Sequence, residues 1–232
     1  MIGIITYDKP HKKTQDLVTK LLLNGHSKII LVCIPFINRK QFQPLFEHRP
    51  NKCVDVSVEK MAKRLNINVF KTDINGLNDF FINHSCEHIL IGGAGILPNN
   101  LTKNHNIINS HPGYLPHVKG LDALKWAIYD GMPIGVTTHY ISDKVDEGKL
   151  IEQKIIPIYF EDSFHSLAQR LYETEIEMLV NSIKIIENNK TSFKSLNDDT
   201  YVSKKRMSHH YERIMIEKFE EIRKKSKSFK KV

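Results

Sequence analysis

The residues best suited to chemistry stand in the stretch Asn109-Ser110-His111-Pro112-Gly113-Tyr114-Leu115-Pro116. Asn109 and His111 lie two apart at the end of an apolar run, Ile107 to His111, that reads as a strand. Side chains of a strand alternate between its faces, so the two share one face. Pro112 has no N–H to give to a neighbouring strand, so the strand stops where the histidine is offered. An amide beside an imidazole supplies hydrogen-bond donors and one group that titrates near neutral pH. Such a pair can hold a carbonyl oxygen as it gains negative charge. Alone, the pair is also an ordinary strand end.

A second element lies downstream in Ser142-Asp143-Lys144-Val145-Asp146-Glu147-Gly148, after the strand pattern Ile134 to Ile141. The expectation is that this loop also sits at a carboxyl edge, with Asp146 beside His111 if the two strands are neighbours. A carboxylate there orients the imidazole, favours its charged form and relays a proton through water. By itself, an acidic turn is solvated surface.

The elements that must position these groups alternate. Ile2 to Thr6 reads as a strand, Thr14 to Leu23 as a helix and Lys28 to Ile34 as a fully buried strand. Val54 to Leu65 carries Val54, Val58, Met61 and Leu65 at helical spacing. Val69-Phe70 reads as a brief strand, Leu77 to Ile82 as a helix and Ile89 to Ile91 as a strand. Leu121 to Tyr129 reads as a helix, Leu150 to Ile158 as a strand and Phe164 to Ile186 as a long helix. Continuous apolar strands alternating with helices predict a parallel sheet covered on both faces. Ligands of such sheets bind beyond the carboxyl ends of the strands.

With 232 residues, the chain suits one α/β domain plus a tail. No apolar run approaches the roughly 18 residues that span a bilayer. Met1 to Pro10 lacks the basic start and small-residue cleavage site of a signal peptide, so a cytoplasmic location is expected. Cys33, Cys53 and Cys86 make an odd count, which argues against a disulfide framework. The net charge of +8 is concentrated: eleven Lys/Arg against four Glu from Lys204 to Val232 leave the body nearly neutral. A basic tail on a neutral body does not make a broad nucleic-acid groove, although it leaves room for an anionic partner. In that tail Met207, Tyr211, Met215, Phe219 and Ile222 form a helical stripe. The stripe suits a helix docked on the body or on a second subunit, with a membrane-surface helix as the alternative.

The run N-S-H-P-G-Y-L-P, then Lys119-Gly120, G-V-T-T-H ending at His139, Asp146-Glu147-Gly148 and Gln153, resembles the formyltransferases that use 10-formyltetrahydrofolate. Order and spacing match from about Ile89 to Ile158, and the upstream I-L-I-G-G-A-G-I-L-P resembles the segment before the motif in that family. The resemblance implies an α/β, Rossmann-like, mostly parallel twisted sheet, with a catalytic domain over residues 1–190. A basic extension with an amphipathic helix follows over 191–232. It implies a triad of Asn109, His111 and Asp146: the first two hold the oxyanion, and Asp146 keeps His111 charged and helps remove the amine proton. It places the folate co-substrate against Leu90, Ala94, Ile96 and Leu97, with backbone from Ser142, Asp143 and Val145 facing them. His139 matches a family position, either as support or in the reaction.

Two departures from the family pattern bear on the acceptor. Gly113 stands where a serine is familiar, which is expected to open space and remove a hydroxyl. The turn Thr6-Tyr7-Asp8-Lys9-Pro10-His11 lacks the small residues with which backbone amides cradle a phosphate, which lowers the glycinamide ribonucleotide reading. About 40 residues follow Asn189, too few for the nucleic-acid-binding barrel of the methionyl-tRNA enzymes. A deformylase would normally carry a regulatory domain ahead of the first strand, which here begins at Ile2. Elimination favours the amine of an amino sugar on a nucleotide carrier as acceptor, with glycinamide ribonucleotide or methionyl-tRNA as the alternatives. Thr200 to Arg206 loosely resembles the region after the core in such enzymes.

Nucleic acid is not expected as a partner, and a homodimer is compatible with the apolar stripe. The competing class is a non-catalytic module that binds nucleic acid through its basic tail. No metal is expected, since Cys86-Glu87-His88 and His209-His210 lack partners at zinc spacing. Gly92-Gly93-Ala94-Gly95 fails the dinucleotide fingerprint because Pro98 stands where its last glycine belongs. Trp126 and Cys33 read as core packing.

Overall fold

The structure, a computed structural model, describes residues 1–37, 42–50, 52–188 and 193–229. Seven strands form one sheet in the order β3-β2-β1-β4-β5-β6-β7. They are β1 (Ile2–Tyr7), β2 (Ile29–Ile34), β3 (Asn68–Lys71), β4 (His88–Ile91), β5 (Ile107–His111), β6 (Gly135–Ile141) and β7 (Gly148–Ile155). The helices are α1 (Lys12–Leu23), α2 (Val58–Leu65), α3 (Leu77–Asn83), α4 (Asn99–Asn104), α5 (Ala123–Asp130), α6 (Phe164–Asn188) and α7 (His209–Lys224). The first five strands are mutually parallel. β6 and β7 run antiparallel, so the sheet is mostly parallel, as expected. The short loop between β6 and β7 accounts for that pair, since a parallel pair needs a long crossover.

Alternation sorts each strand onto two cores. Ile4, Leu31, Leu90 and Ile108 face α1 and α6, whereas Ile5, Ile30, Ile89 and Ile107 face α3 and α4. Asn109 and His111 share the parity of Ile107 and therefore stand on the α3/α4 face. The helix expected over Val54 to Leu65 begins only at Val58. Ser57 stops it: its Oγ accepts from the Lys60 N–H at 3.2 Å. Val54 instead exchanges two backbone bonds with the Gln15 amide and is exposed. α4 was not read from the sequence, because only Leu101 in it is buried.

α7 packs on α5 and completes a third core, in which Met207, Met215 and Phe219 are fully buried. Tyr211 and Ile222 lie at the exposed margin of the stripe. Trp126 is half-buried and packs against this core, as expected; its Nε1 donates to the Lys205 carbonyl at 2.8 Å, and its ring lies beside Tyr129 and Tyr211. The division expected between residues 190 and 191 lies outside the described residues. Among the described residues no helix is long and apolar enough to cross a membrane.

The α5–α7 seam holds an ion pair with no exposed surface, Lys125 Nζ with Glu212 Oε1. Glu212 Oε2 also accepts from the Leu45 N–H at 2.8 Å, tying the loop after β2 to the last helix. Removing one partner of a buried pair strands the other charge in an apolar medium. Glu212→Ala should therefore lose roughly 3–5 kcal/mol in urea unfolding, with the midpoint lowered. Adding Lys125→Met should restore most of that loss.

Candidate active site

β5 ends with Asn109 and His111 on one face, and β6 lies beside it in the pairing Asn109↔His139 and His111↔Thr137. Because β6 is antiparallel, its carboxyl end lies level with the start of β5. The loop 142–147 therefore begins at the opposite edge from the one the sequence suggested. It reaches His111 by folding back over the α3/α4 face. Asp146 closes that path in a left-handed backbone conformation, φ +53°. Its Oδ1 lies 3.3 Å from His111 Nδ1, and its Oδ2 accepts from the Gly120 N–H at 2.6 Å.

His111 is only 5% exposed. Its Nε2 lies 3.0 Å from the Val118 carbonyl oxygen. A carbonyl and a carboxylate thus face the two ring nitrogens, and only a ring carrying hydrogen on both donates to both. Asn109 is half-buried and the more accessible of the pair.

Gly113 does not open space. A Cβ there would lie 2.6 Å from both His111 Nε2 and the Val118 oxygen, so the ring fills the volume that a side chain would need. The reading of this glycine as vacant room is corrected accordingly.

The brace around Asp146 was not foreseen as a brace. Lys119, 3% exposed, donates to Glu147 Oε1 at 2.8 Å and to the Asp198 carbonyl at 2.7 Å. Gly120, at φ +93°, pairs with Lys204, whose carbonyl would sit 2.2 Å from any added Cβ. Leu196 N–H donates to the Gly148 carbonyl at 2.8 Å, and Leu150 N–H to the Lys194 carbonyl at 2.8 Å. Residues 194–204 therefore hold the carboxyl end of the Asp146 loop and the Lys119-Gly120 turn that grips Asp146 and Glu147. The only signal in the sequence was Lys119-Gly120, matched as pattern without a role.

The expected folate contacts divide. Leu90 is fully buried and faces α1 and α6, away from Asn109, so only its backbone is available to a ligand on the site's face. Ala94 and Leu97 pack into the α3/α4 core on the same face as the triad. Ile96 is 76% and Val145 47% exposed, so each loop offers one free apolar side chain. Ser142 is half-buried and Asp143 exposed in the loop that carries Val145. Exposed apolar residues on two loops flanking the Asn109 face suit a flat, partly apolar ligand.

Residues 84–183 match the model of the formyl transferase family. A dTDP-4-amino-4,6-dideoxyglucose formyltransferase of Mycobacterium tuberculosis is 34% identical over 88 residues, 38% of each chain. Phosphoribosylglycinamide and methionyl-tRNA formyltransferases match as well. This chain spans less than half the length of the curated relatives it matches, between 8% and 46%. A sugar N-formyltransferase from a Shewanella species has the same fold, with a TM-score of 0.62, 17% identity, and 94% of this chain and 87% of that one covered. The formyltransferase PseJ from Anoxybacillus kamchatkensis superposes with a TM-score of 0.54 and 18% identity over 88% of this chain and 86% of its own. Its structure holds UDP-4,6-dideoxy-4-formamido-L-AltNAc and tetrahydrofolate.

Two predictions follow from the packing of histidines here. Gly113→Ala should displace the His111 ring and cost about 1–3 kcal/mol of stability in denaturant unfolding. Burial lowers His139 to about 4 and His48 to about 3, whereas unfolded histidine stays near 6.5. The unfolded chain then binds protons that the native one refuses, so stability is full above pH 6.5 and falls as pH drops toward 4. Each residue contributes a slope of at most about 1.4 kcal/mol per pH unit. Thermal unfolding followed from pH 7 to pH 4 should show the decline.

Proposed function

We propose that this chain transfers a formyl group from 10-formyltetrahydrofolate to the primary amine of a nucleotide-linked amino sugar. The observation that carries the reading is the meeting of Asn109, His111 and Asp146, distant in sequence, around one patch of sheet face. A non-catalytic scaffold has no use for a carboxylate held in strained backbone against a buried imidazole. The relatives' names support the transfer class, and those of the Mycobacterium protein and PseJ support the amino-sugar acceptor.

The folate supplies the formyl carbon and a nitrogen leaving group. Asn109 Nδ2, the accessible donor, holds the formyl oxygen as it gains charge. His111 adds the field of a doubly protonated ring beneath it, oriented by Val118 and Asp146. Asp146 balances that charge and, through water, relays the amine proton to the folate nitrogen as its bond to the formyl carbon breaks. Ile96 and Val145, on loops at either side of the site, hold the folate.

The test is tetrahydrofolate release from 10-formyltetrahydrofolate offered with amino-sugar nucleotides, glycinamide ribonucleotide or initiator methionyl-tRNA. Turnover is expected with an amino-sugar nucleotide. Turnover only with one of the other two acceptors reassigns the substrate, and none with any acceptor overturns the reading. His111→Ala should lower kcat by ~10²- to 10⁴-fold. Asn109→Ala should lower it by ~10²- to 10³-fold. Asp146→Asn should slow turnover with folate affinity nearly unchanged.

A further inference from the structure

His139 is fully buried on β6, directly across the sheet from Asn109 and on the same face. Its Nδ1 lies 3.2 Å from two carbonyl oxygens, those of Tyr140 and Glu147, so Nδ1 carries the hydrogen. Burial pushes the ring well below the usual histidine range, with Asp146 opposing and His111 reinforcing the shift. The ring is therefore neutral at working pH, and Nε2 carries a bare lone pair. That lone pair is buried and has no hydrogen-bond partner in the protein. A buried acceptor left unsatisfied forfeits the hydrogen bonds it would make in water.

A donor at this site can satisfy it. Both His111 nitrogens are already engaged, with Asp146 and with the Val118 carbonyl. The amide of Asn109 stands opposite, and paired Cβ atoms across antiparallel strands lie about 4.5–5.5 Å apart, within reach of a turn of the side chain.

We infer that His139 is a positioning residue for the reacting amide: its Nε2 accepts one hydrogen of Asn109 Nδ2, while its Nδ1–H pins the loop that carries Asp146. The bond fixes which way the asparagine faces. A flipped amide sets its Oδ1 against the Nε2 lone pair, and two acceptors repel. One Asn109 hydrogen is held by His139 and the second is always directed outward. One ring thus couples two of the three groups of the triad, the amide through Nε2 and the carboxylate through the Glu147 carbonyl. The kinetic part of this inference rests on the formyl-transfer reading above; the hydrogen bond does not.

The substitution that separates the two bonds is His139→Asn, because the asparagine Nδ2 can replace Nδ1–H toward Glu147 while nothing replaces Nε2. It should lower kcat about tenfold with folate affinity retained. In an Asn109→Ala background the same change should cost nothing further, since the partner is already gone. Losses that multiply in the double variant overturn the inference, for they mean the two residues act separately. Wild-type protein labelled with 15N gives an arm that needs neither a variant nor turnover. A scalar coupling across the N–H···N bond between Asn109 Nδ2 and His139 Nε2 is expected, and its absence overturns the bond. If wild-type protein releases no tetrahydrofolate yet shows the coupling, the formyl-transfer reading fails and the bond stands.

Discussion

The structure depends on keeping a carboxylate against a buried imidazole. Asp146 and His111 are brought together by a loop that must turn back across the sheet, because β6 leaves β5 in the opposite direction. Within the loop, Lys144 N–H donates to Ser142 Oγ at 3.4 Å and its Nζ lies 3.9 Å from Glu147 Oε2. Its left-handed Asp146 costs of order 1–3 kcal/mol unless the surroundings impose it. The surroundings do: the Gly120 amide holds the free carboxylate oxygen, Lys119 holds the next residue, and the chain after α6 closes the far side.

This arrangement places polar groups where an apolar core would be simpler. Lys119 with Glu147 and Lys125 with Glu212 are both nearly or wholly removed from water. Buried pairs of this kind give little net stability, since desolvation offsets their attraction. What they do impose is register. Lys119 also donates to the Asp198 carbonyl and Glu212 also accepts from Leu45, so the extension cannot slide along the body as an apolar strip could.

Much of the site was legible in the sequence. The spacing of Asn109 and His111 is a two-residue strand repeat, and Pro112 marks the strand's end. Asp146 was legible only through resemblance, because the path of its loop depends on strand direction, which an apolar run of residues does not encode. Leu90 was matched by position, yet parity alone sends its side chain to the other face. Lys119, Glu147, Lys125 and Glu212 were invisible as partners: a charged residue reads as surface until its counter-ion is known, and these lie 28 and 87 positions apart.

The bracing segment 194–204 is made after everything it braces. A chain emerging from the ribosome finishes its whole sheet at Ile155, before Lys194, Asp198 or Lys204 has been made. Domains fold as they are synthesised, N-terminal parts first. The nascent protein thus acquires its sheet early, whereas the brace around Asp146 and the α7 side of the third core come late.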